Sequence, residues 1–341
     1  MTKERLIKSL EENRVLFTEI IKLMGDASTR VYYRVLLESE FTSENSFIAM
    51  VMPEKIEVSE AGNTSFIKEE PFLNLHKYLI KSDLNIPELY LNDEINRVVL
   101  LEDLTDMTLF TLIQKTNRKN LEEKYMKAID ELVCFQDFTS KNPDNEVYAF
   151  KRCFDDETLR WELDHFVEWQ INNAMGVNLS ATNKRDVDSA FSDITKKLVK
   201  LPQVIVHRDY QSKNIMIKND DYYLIDFQDA LLGSYVYDLV ALLKDSYVEL
   251  SEDFVQGILK YYIKKKKEVS GINYNFEDLY RDFKLQAIQR KLKDTGRFHF
   301  IDIVRQNSSF LQYLPLSKEY VKRYLNDLYP DLADIFADAL K

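Results

Sequence analysis

The sequence predicts an α+β fold in two lobes: a small, mainly antiparallel sheet lobe over residues 1–104, then a larger and mostly helical lobe over 105–341. Three observations carry this. The chain has 341 residues, more than one simple core usually holds. Strand-type runs rich in Val, Ile, Tyr and Phe gather in the first hundred residues. Beyond them amphipathic helical periods dominate, with strand character returning only over 204–227.

Taken in order, Leu6, Leu10, Ile20, Leu23 and Met24 fall near helical spacing and predict a first helix over 4–24, stopped by "GDAS". Arg30–Leu37 and Phe47–Met52 read as strands joined by the polar "ESEFTSEN". "SFIKEEPFLNLHKYLIKSD" returns to a helical period, and "PELYLNDEINRVVLLEDL" reads as two strands around a turn at Asn92 and Asp93. In the second lobe, helices are expected at about 121–139, 156–175, 184–199, 235–267 and 276–294. The run "KKKK" at 264–267 suits a solvated helix C-terminus.

Composition narrows the function classes. With 45% hydrophobic and 12% aromatic residues the chain can bury a large core. A net charge of −11 disfavours a partner recognised through a phosphate backbone, so nucleic acid is not expected. No apolar run approaches a membrane span, and the N-terminus lacks a signal-peptide core, so the expectation is a cytoplasmic protein without a membrane partner. Cys134 and Cys153 have no paired or metal-ligand spacing and read as buried packing residues in a reducing compartment. His76, His165 and His299 form no zinc-ligand spacing.

The informative stretch is "VIVHRDYQSKNIMIKNDDYYLIDFQDA" at 204–230. Phosphoryl transfer needs an acceptor for the substrate hydroxyl proton and oxygen ligands for magnesium, which neutralises nucleotide phosphate charge. Asp209, Asn214 and Asp226 supply these groups, and His207, Arg208, Asp209 and Asn214 keep the spacing of the protein-kinase catalytic loop. Asp226 and Phe227 follow as the D-F pair, delivered by the strand "YYLID". The bland alternative, a loop in which Asp209 and Asn214 cap turns, does not account for the whole set. His207, two residues from an aspartate, reads as a packed scaffold histidine before it reads as a base.

These motifs resemble the aminoglycoside phosphotransferase and choline kinase superfamily, whose bilobal fold is protein-kinase-like, and the resemblance covers nearly the whole chain. Within it the chain looks most like the N-acetylmuramate/N-acetylglucosamine anomeric kinases, through "GDAST-R-VYYRV", "LLEDL", "HFVEW", "HRDYQSKNIM", "DFQDALLGSYVYDLVALLKDSY" and "QRKLKDTGRF". The resemblance implies ATP and Mg²⁺ as cofactors, Asp209 as catalytic base, and Asn214 and Asp226 as magnesium ligands. It implies that Asp238 braces the loop through backbone hydrogen bonds, an aspartate that could equally cap its own helix. Backbone groups near Glu102 and Leu104 would meet adenine, and Ser28, Thr29 and Arg30 would cover the phosphates, although an ordinary exposed turn has an equal claim there.

One departure stands out: "SFIAMVMPE" has Met50 and Met52 where most kinases place a phosphate-binding lysine. Arg30, Arg34 and Lys55 are the candidate replacements, and Glu69 or Glu70 would be the helix partner of the missing lysine. For the acceptor, Glu168, Trp169, Gln228, Asp229 and Arg290 are candidates, because a sugar pocket combines hydroxyl-bonding groups with an aromatic platform and a lactyl carboxylate suits a guanidinium. Trp169 reads as core before it reads as a platform, and Arg290 likewise as a solvated or salt-bridged helix face. The competing functions are a choline, ethanolamine or aminoglycoside kinase, and a nucleotide-binding pseudokinase serving as an interaction module.

Overall fold

In the computed structural model, residues 2–23, 30–38, 45–55, 66–116 and 118–341 are described. The first helix, α1 (Thr2–Glu12), ends well before the 4–24 span predicted from periodicity. Arg14 adopts a left-handed φ of 56° and turns the chain, and the aromatic and β-branched run that follows forms β1 (Phe17–Lys22). β2 (Val31–Leu37) and β3 (Ser46–Val51) follow as expected. Helix α2 (Pro71–Leu79) begins with Pro71, whose fixed φ and missing N–H suit a first helical position. β4 (Leu89–Asp93) and β5 (Val98–Glu102) close a five-stranded antiparallel sheet of order β1-β2-β3-β5-β4. The β4–β5 turn lies over Glu94–Arg97, two residues later than predicted, with Arg97 at φ 54°.

Strand alternation decides which core each side chain joins. Ala49, Val51, Val98 and Leu100 face α1, where Leu6 and Leu10 are fully buried. Their neighbours Met50, Met52, Val99 and Leu101 face the main core with α2. The two methionines are therefore packing residues.

The remainder is built on helices: α3 (Leu109–Lys115), α4 (Arg118–Lys141), α5 (Asp156–His165), α6 (Ala181–Leu198), and, after the site strands, α7 (Tyr237–Leu243), α8 (Glu252–Ser270), α9 (Phe276–Arg305), α10 (Leu314–Leu328) and α11 (Pro330–Ile335). The span predicted as one helix over 156–175 continues α5 as a π-helix, Phe166–Ala174. The span 235–267 divides into α7 and α8, because Asp245 and Ser246 turn inward to bond the loop and a neighbouring helix. Between these helices run β6 (Gln203–Val206), β7 (Ile215–Lys218), β8 (Asp221–Leu224) and β9 (Leu231–Ser234), as two antiparallel pairs, β6–β9 and β7–β8. Asn219 and Asp220, both at positive φ, make the two-residue turn that a twisted hairpin favours.

Two expectations need correction. Cys134 and Cys153 are exposed, being on the outer side of α4 and in an exposed connection. Within "KKKK", Lys266 is buried at 2% exposure, with Asp137 as its stabilising charge, while Lys264 and Lys267 are solvated. Among the described residues no helix is long and apolar enough to cross a membrane.

Candidate functional site

The 207–214 loop leaves β6 and is fixed at almost every residue by backbone or side-chain bonds. Arg208 sits at φ 73°, a left-handed conformation that is strained for a non-glycine residue and persists only when its surroundings enforce it. The buried carboxylate of Asp238, in the first turn of α7, accepts from the N–H of His207 at 2.7 Å and of Arg208 at 3.1 Å. The carbonyl of Arg208 accepts from Nη1 of Arg290 at 2.7 Å. Tyr210 donates to the carbonyl of Ala128 on α4, and Ser212 is held through both its N–H and its hydroxyl by Asp245. His207 is fully buried, with Nε2 at 3.0 Å from the carbonyl of Ile225, and burial lowers its pKa to about 4. It is neutral near pH 7 and sits as scaffold between the two segments that carry Asp209 and Asp226.

Those two segments meet. Asn214 donates to the carbonyl of Asp209 at 2.9 Å and to Oδ2 of Asp226 at 3.4 Å. Asp226 is itself left-handed, at φ 65°, which turns the chain sharply after β8. Phe227 is buried and stacks on Phe72 of α2 with ring centres 5.2 Å apart, tying the turn to the N-terminal half. The electrostatics of the two carboxylates diverge. Burial and repulsion from Asp209 push Asp226 up to about 7, against the hydrogen bond from Gln228. Asp209 is crowded by protein, which works to raise its pKa, but Arg290, Lys293 and Arg208 outweigh this and hold it below the usual carboxylate range. Its side chain remains 45% exposed, so the ionised oxygen faces open space. An ionised, half-open carboxylate thus stands beside an amide–carboxylate pair whose ionised form the fold leaves under-stabilised. That pair fits a magnesium ion, which takes one or two protein oxygens and completes its shell with water and phosphate.

The halves are joined at Glu102. Its carboxylate, 10% exposed, pairs with Lys218 of β7 at 2.7 Å. Ile217 donates to the carbonyl of Met107, and Leu224 to that of Asn85. Next to Glu102, Asp103 takes Arg34 and Ser46, which turns the chain out of β5 so that, among the described residues, no backbone hydrogen bond uses the N–H or C=O of Leu104.

The other sequence candidates divide. Ser28 and Thr29 lie outside the described residues. Arg30 is close enough to Asp226 for its charge to act on that carboxyl. Arg34 is committed to Asp103 and Asp106, and Lys55 is exposed. Glu69 pairs with Lys77, and Glu70 with Arg97. Gln228, expected to meet substrate, is 8% exposed and donates its amide nitrogen to Asp226 at 2.7 Å. Arg290, expected on a solvated face or gripping substrate, is 1% exposed. Its guanidinium lies over Tyr237 and reaches the loop, with Nη2 3.5 Å from Asp209, which leaves it no open face for a substrate carboxylate. Asp229 lies 4.0 Å from both Arg152 and Arg208. Glu168 is exposed on the π-helix, and Trp169 is half-buried, edge-on to Phe300 of α9 at 5.0 Å. Lys218, Asp245, Arg152 and Lys293 were not singled out from sequence. Asp245 and Lys293 lie within stretches that carried the resemblance, but nothing in their local pattern marks them as facing the loop.

The comparisons with known proteins follow this geometry. An N-acetylmuramate/N-acetylglucosamine kinase from Neisseria meningitidis serogroup B is 27% identical over 92% of this chain and 87% of its own length. One of the same name from Pseudomonas aeruginosa is 29% identical, over 82% of this chain and 76% of its own. Among solved structures, the choline kinase LicA from Streptococcus pneumoniae superposes with a TM-score of 0.62 at 16% identity, covering 97% of this chain and 100% of that one. An ADP-bound aminoglycoside phosphotransferase APH(2'')-Ib does so with a TM-score of 0.60, also at 16% identity, covering 98% and 99%. These likenesses establish the bilobal kinase-like fold. The model of the phosphotransferase enzyme family matches residues 19–272, a span that contains the loop, Asp226 and Asp238, and the chain belongs to that family.

Proposed function

We propose that this chain transfers the γ-phosphoryl group of ATP, with magnesium, to the anomeric hydroxyl of an N-acetylated amino sugar, giving the sugar 1-phosphate. N-acetylmuramate and N-acetylglucosamine are the acceptors suggested by the names of its relatives at 27% and 29% identity. The observation that carries the chemistry is Asp209, kept ionised by three cations and half-open beside Asn214 and Asp226.

In this reading residues 1–104 form the nucleotide-binding lobe and 105–341 the catalytic and acceptor lobe. Adenine meets the free backbone groups of Leu104, with Glu102 locked by Lys218 so that the strand end is rigid. Ser28, Thr29 and Arg30 cover the phosphates, and Arg30, whose charge reaches the carboxyl of Asp226, takes the role of the missing lysine. The amide oxygen of Asn214 and the carboxylate of Asp226 hold magnesium, which when bound neutralises phosphate charge and orients the leaving group. Asp209 accepts a hydrogen bond from the sugar hydroxyl and takes its proton as the oxygen bonds to the γ-phosphorus. The bond to the bridging oxygen breaks, and ADP leaves with that electron pair. Arg290, Asp238 and Asp245 keep the loop in place so that the geometry is set before substrate arrives.

The cations around Asp209 argue against choline, ethanolamine and aminoglycosides, whose positive charge they would repel. The complete Asp209, Asn214 and Asp226 set argues against a pseudokinase. The test is ADP release with amino sugars, choline and aminoglycosides, followed by phosphorus NMR of the product. Coupling of the new phosphorus to the anomeric proton is expected, with no turnover of the methyl glycoside. A 6-phosphate, or brisk phosphorylation of the methyl glycoside, overturns the anomeric assignment.

A further inference from the structure

Thr105, the residue after Leu104, sits at φ 65°. A left-handed conformation is a genuine outlier for a β-branched residue, and it persists only where the surroundings over-determine it. Here the surroundings are a set of side chains with one hub. Asp103 is buried, and its Oδ1 accepts the N–H of Thr105 at 2.8 Å, closing a turn from a side chain to the backbone two residues on. The same carboxylate accepts Nε and Nη2 of Arg34 at 2.6 and 3.1 Å and the hydroxyl of Ser46 at 2.7 Å. The guanidinium of Arg34 also reaches Asp106, on the far side of Thr105, with Nη1 at 3.2 Å and Nη2 at 2.9 Å. Arg34 on β2 therefore grips the linker on both sides of the strained residue through one planar fork.

Neighbouring carboxylates anchor this linker to opposite halves of the molecule. Asp103 is tied to β2 and β3 of the sheet, whereas Glu102 pairs with Lys218 of β7 at 2.7 Å. Beyond the turn, the carbonyl of Met107 accepts from the N–H of Ile217, also at 2.7 Å. Between these anchors lies Leu104, whose N–H and C=O take no backbone hydrogen bond among the described residues. Because a peptide is planar, holding the dihedrals on either side of it fixes the directions of its donor and acceptor. A turn that only connected two lobes would relax to an ordinary φ, with no need of a buried carboxylate to hold it left-handed.

We infer that Arg34 and Asp103 are positioning residues for purine selectivity: by holding Thr105 left-handed they fix the peptide groups of Leu104 in the orientation that suits the edge of adenine. This rests on the reading above in which adenine meets Leu104. Adenine presents an amino donor beside a ring-nitrogen acceptor, and guanine presents the reverse, a carbonyl acceptor beside a ring N–H donor. A rigid N–H and C=O pair matched to adenine is left unpaired against guanine, whereas a loose linker turns to suit either base.

The test measures Kd for Mg-ADP and Mg-GDP by calorimetry, and Tm by scanning fluorimetry, in wild type, Thr105→Gly and Arg34→Met. Wild type should prefer ADP by about tenfold or more. Glycine adopts a left-handed φ without strain, so Thr105→Gly should keep or raise Tm while the freer linker lowers the preference for ADP by about threefold or more. Arg34→Met should lower the preference at least as far. If these residues served the fold alone, affinity for the two nucleotides would fall in parallel and track Tm. A Thr105→Gly protein with the wild-type preference, or parallel loss of both nucleotides in folded Arg34→Met, overturns the inference; if Arg34→Met does not fold, Thr105→Gly decides alone. A wild type with no preference for ADP overturns both the inference and the adenine assignment, and leaves phosphoryl transfer standing. A wild type that binds neither nucleotide overturns the kinase reading as well.

Discussion

Replacing Gly296 by alanine should destabilise the protein, although helix propensity alone argues the reverse. Gly296 lies inside α9, where alanine is favoured over glycine by about 0.8–1 kcal/mol. The added Cβ, however, would meet the oxygen of His165 at 2.5 Å, its carbon at 2.6 Å and the nitrogen of Phe166 at 2.8 Å, all backbone atoms at the junction of α5 and the π-helix. Backbone cannot swing aside as a flexible side chain can, so the two helices must part by most of an ångström. Overpacking of this kind costs about 1–3 kcal/mol, and more where both partners are held by packing. The net expectation is a loss of up to about 2 kcal/mol, a fall in Tm of a few degrees for a chain of this size. Gly257, inside α8, is the internal control: nothing lies within 4 Å of a Cβ there, so Gly257→Ala should hold or raise Tm. Scanning fluorimetry of both variants decides the matter. A Gly296→Ala protein as stable as Gly257→Ala would refute the close-approach argument.

Asp209→Asn should lower turnover at least about a hundredfold with the fold intact, since the proton acceptor and the alignment of the hydroxyl are lost together; near-normal ADP release from the folded variant would remove Asp209 from that role. Asp226→Ala should weaken magnesium-dependent nucleotide binding, and calorimetry showing unchanged affinity for Mg-ATP would contradict its assignment. The folded-state pKa of His207 is depressed to about 4, so the unfolded chain takes up the proton first and stability falls as pH drops from about 6.5 toward 4. A shift of that size is worth up to ~3 kcal/mol. Urea midpoints at pH 7 and pH 5 should therefore separate less in His207→Gln than in wild type, and identical pH slopes would show that His207 is not held neutral.

Much of the architecture was legible because it depends on local pattern. The apolar, β-branched runs in "SFIAMV" and "VVLLE" read as strand and are strand, and the spacing from His207 to Asp226 marks the three candidate catalytic and metal groups that the fold brings together. The failures share a physical form. In 4–24, apolar spacing fitted a helix, but Phe17–Lys22 gains more from pairing along β2 than from continuing α1, and the break at Arg14 is a backbone conformation that an arginine does not advertise. In 156–175 the periodicity carried through, but the ladder widens to a π-helix where α9 presses against it at Gly296, a contact between residues over a hundred positions apart.

The site shows the same limit at finer scale. Arg290 and Lys293 sit in one short motif, "QRKLK", and their chemistry from sequence is interchangeable: two cations on a helix. What separates them is depth. Arg290 points under the loop, where a planar guanidinium can bond the strained carbonyl of Arg208 and lie over Tyr237 at once. Lys293, a turn later, keeps a 20% exposed side chain and pairs with Asp294 at 3.4 Å. Gln228, two residues beyond Asp226 in sequence, is folded back by the left-handed turn at Asp226 so that its amide nitrogen returns to the carboxylate that precedes it. Residue type and spacing thus locate the candidate catalytic groups, because these must converge within hydrogen-bond reach, whereas which groups hold the loop depends on how deeply each side chain of one helix is buried.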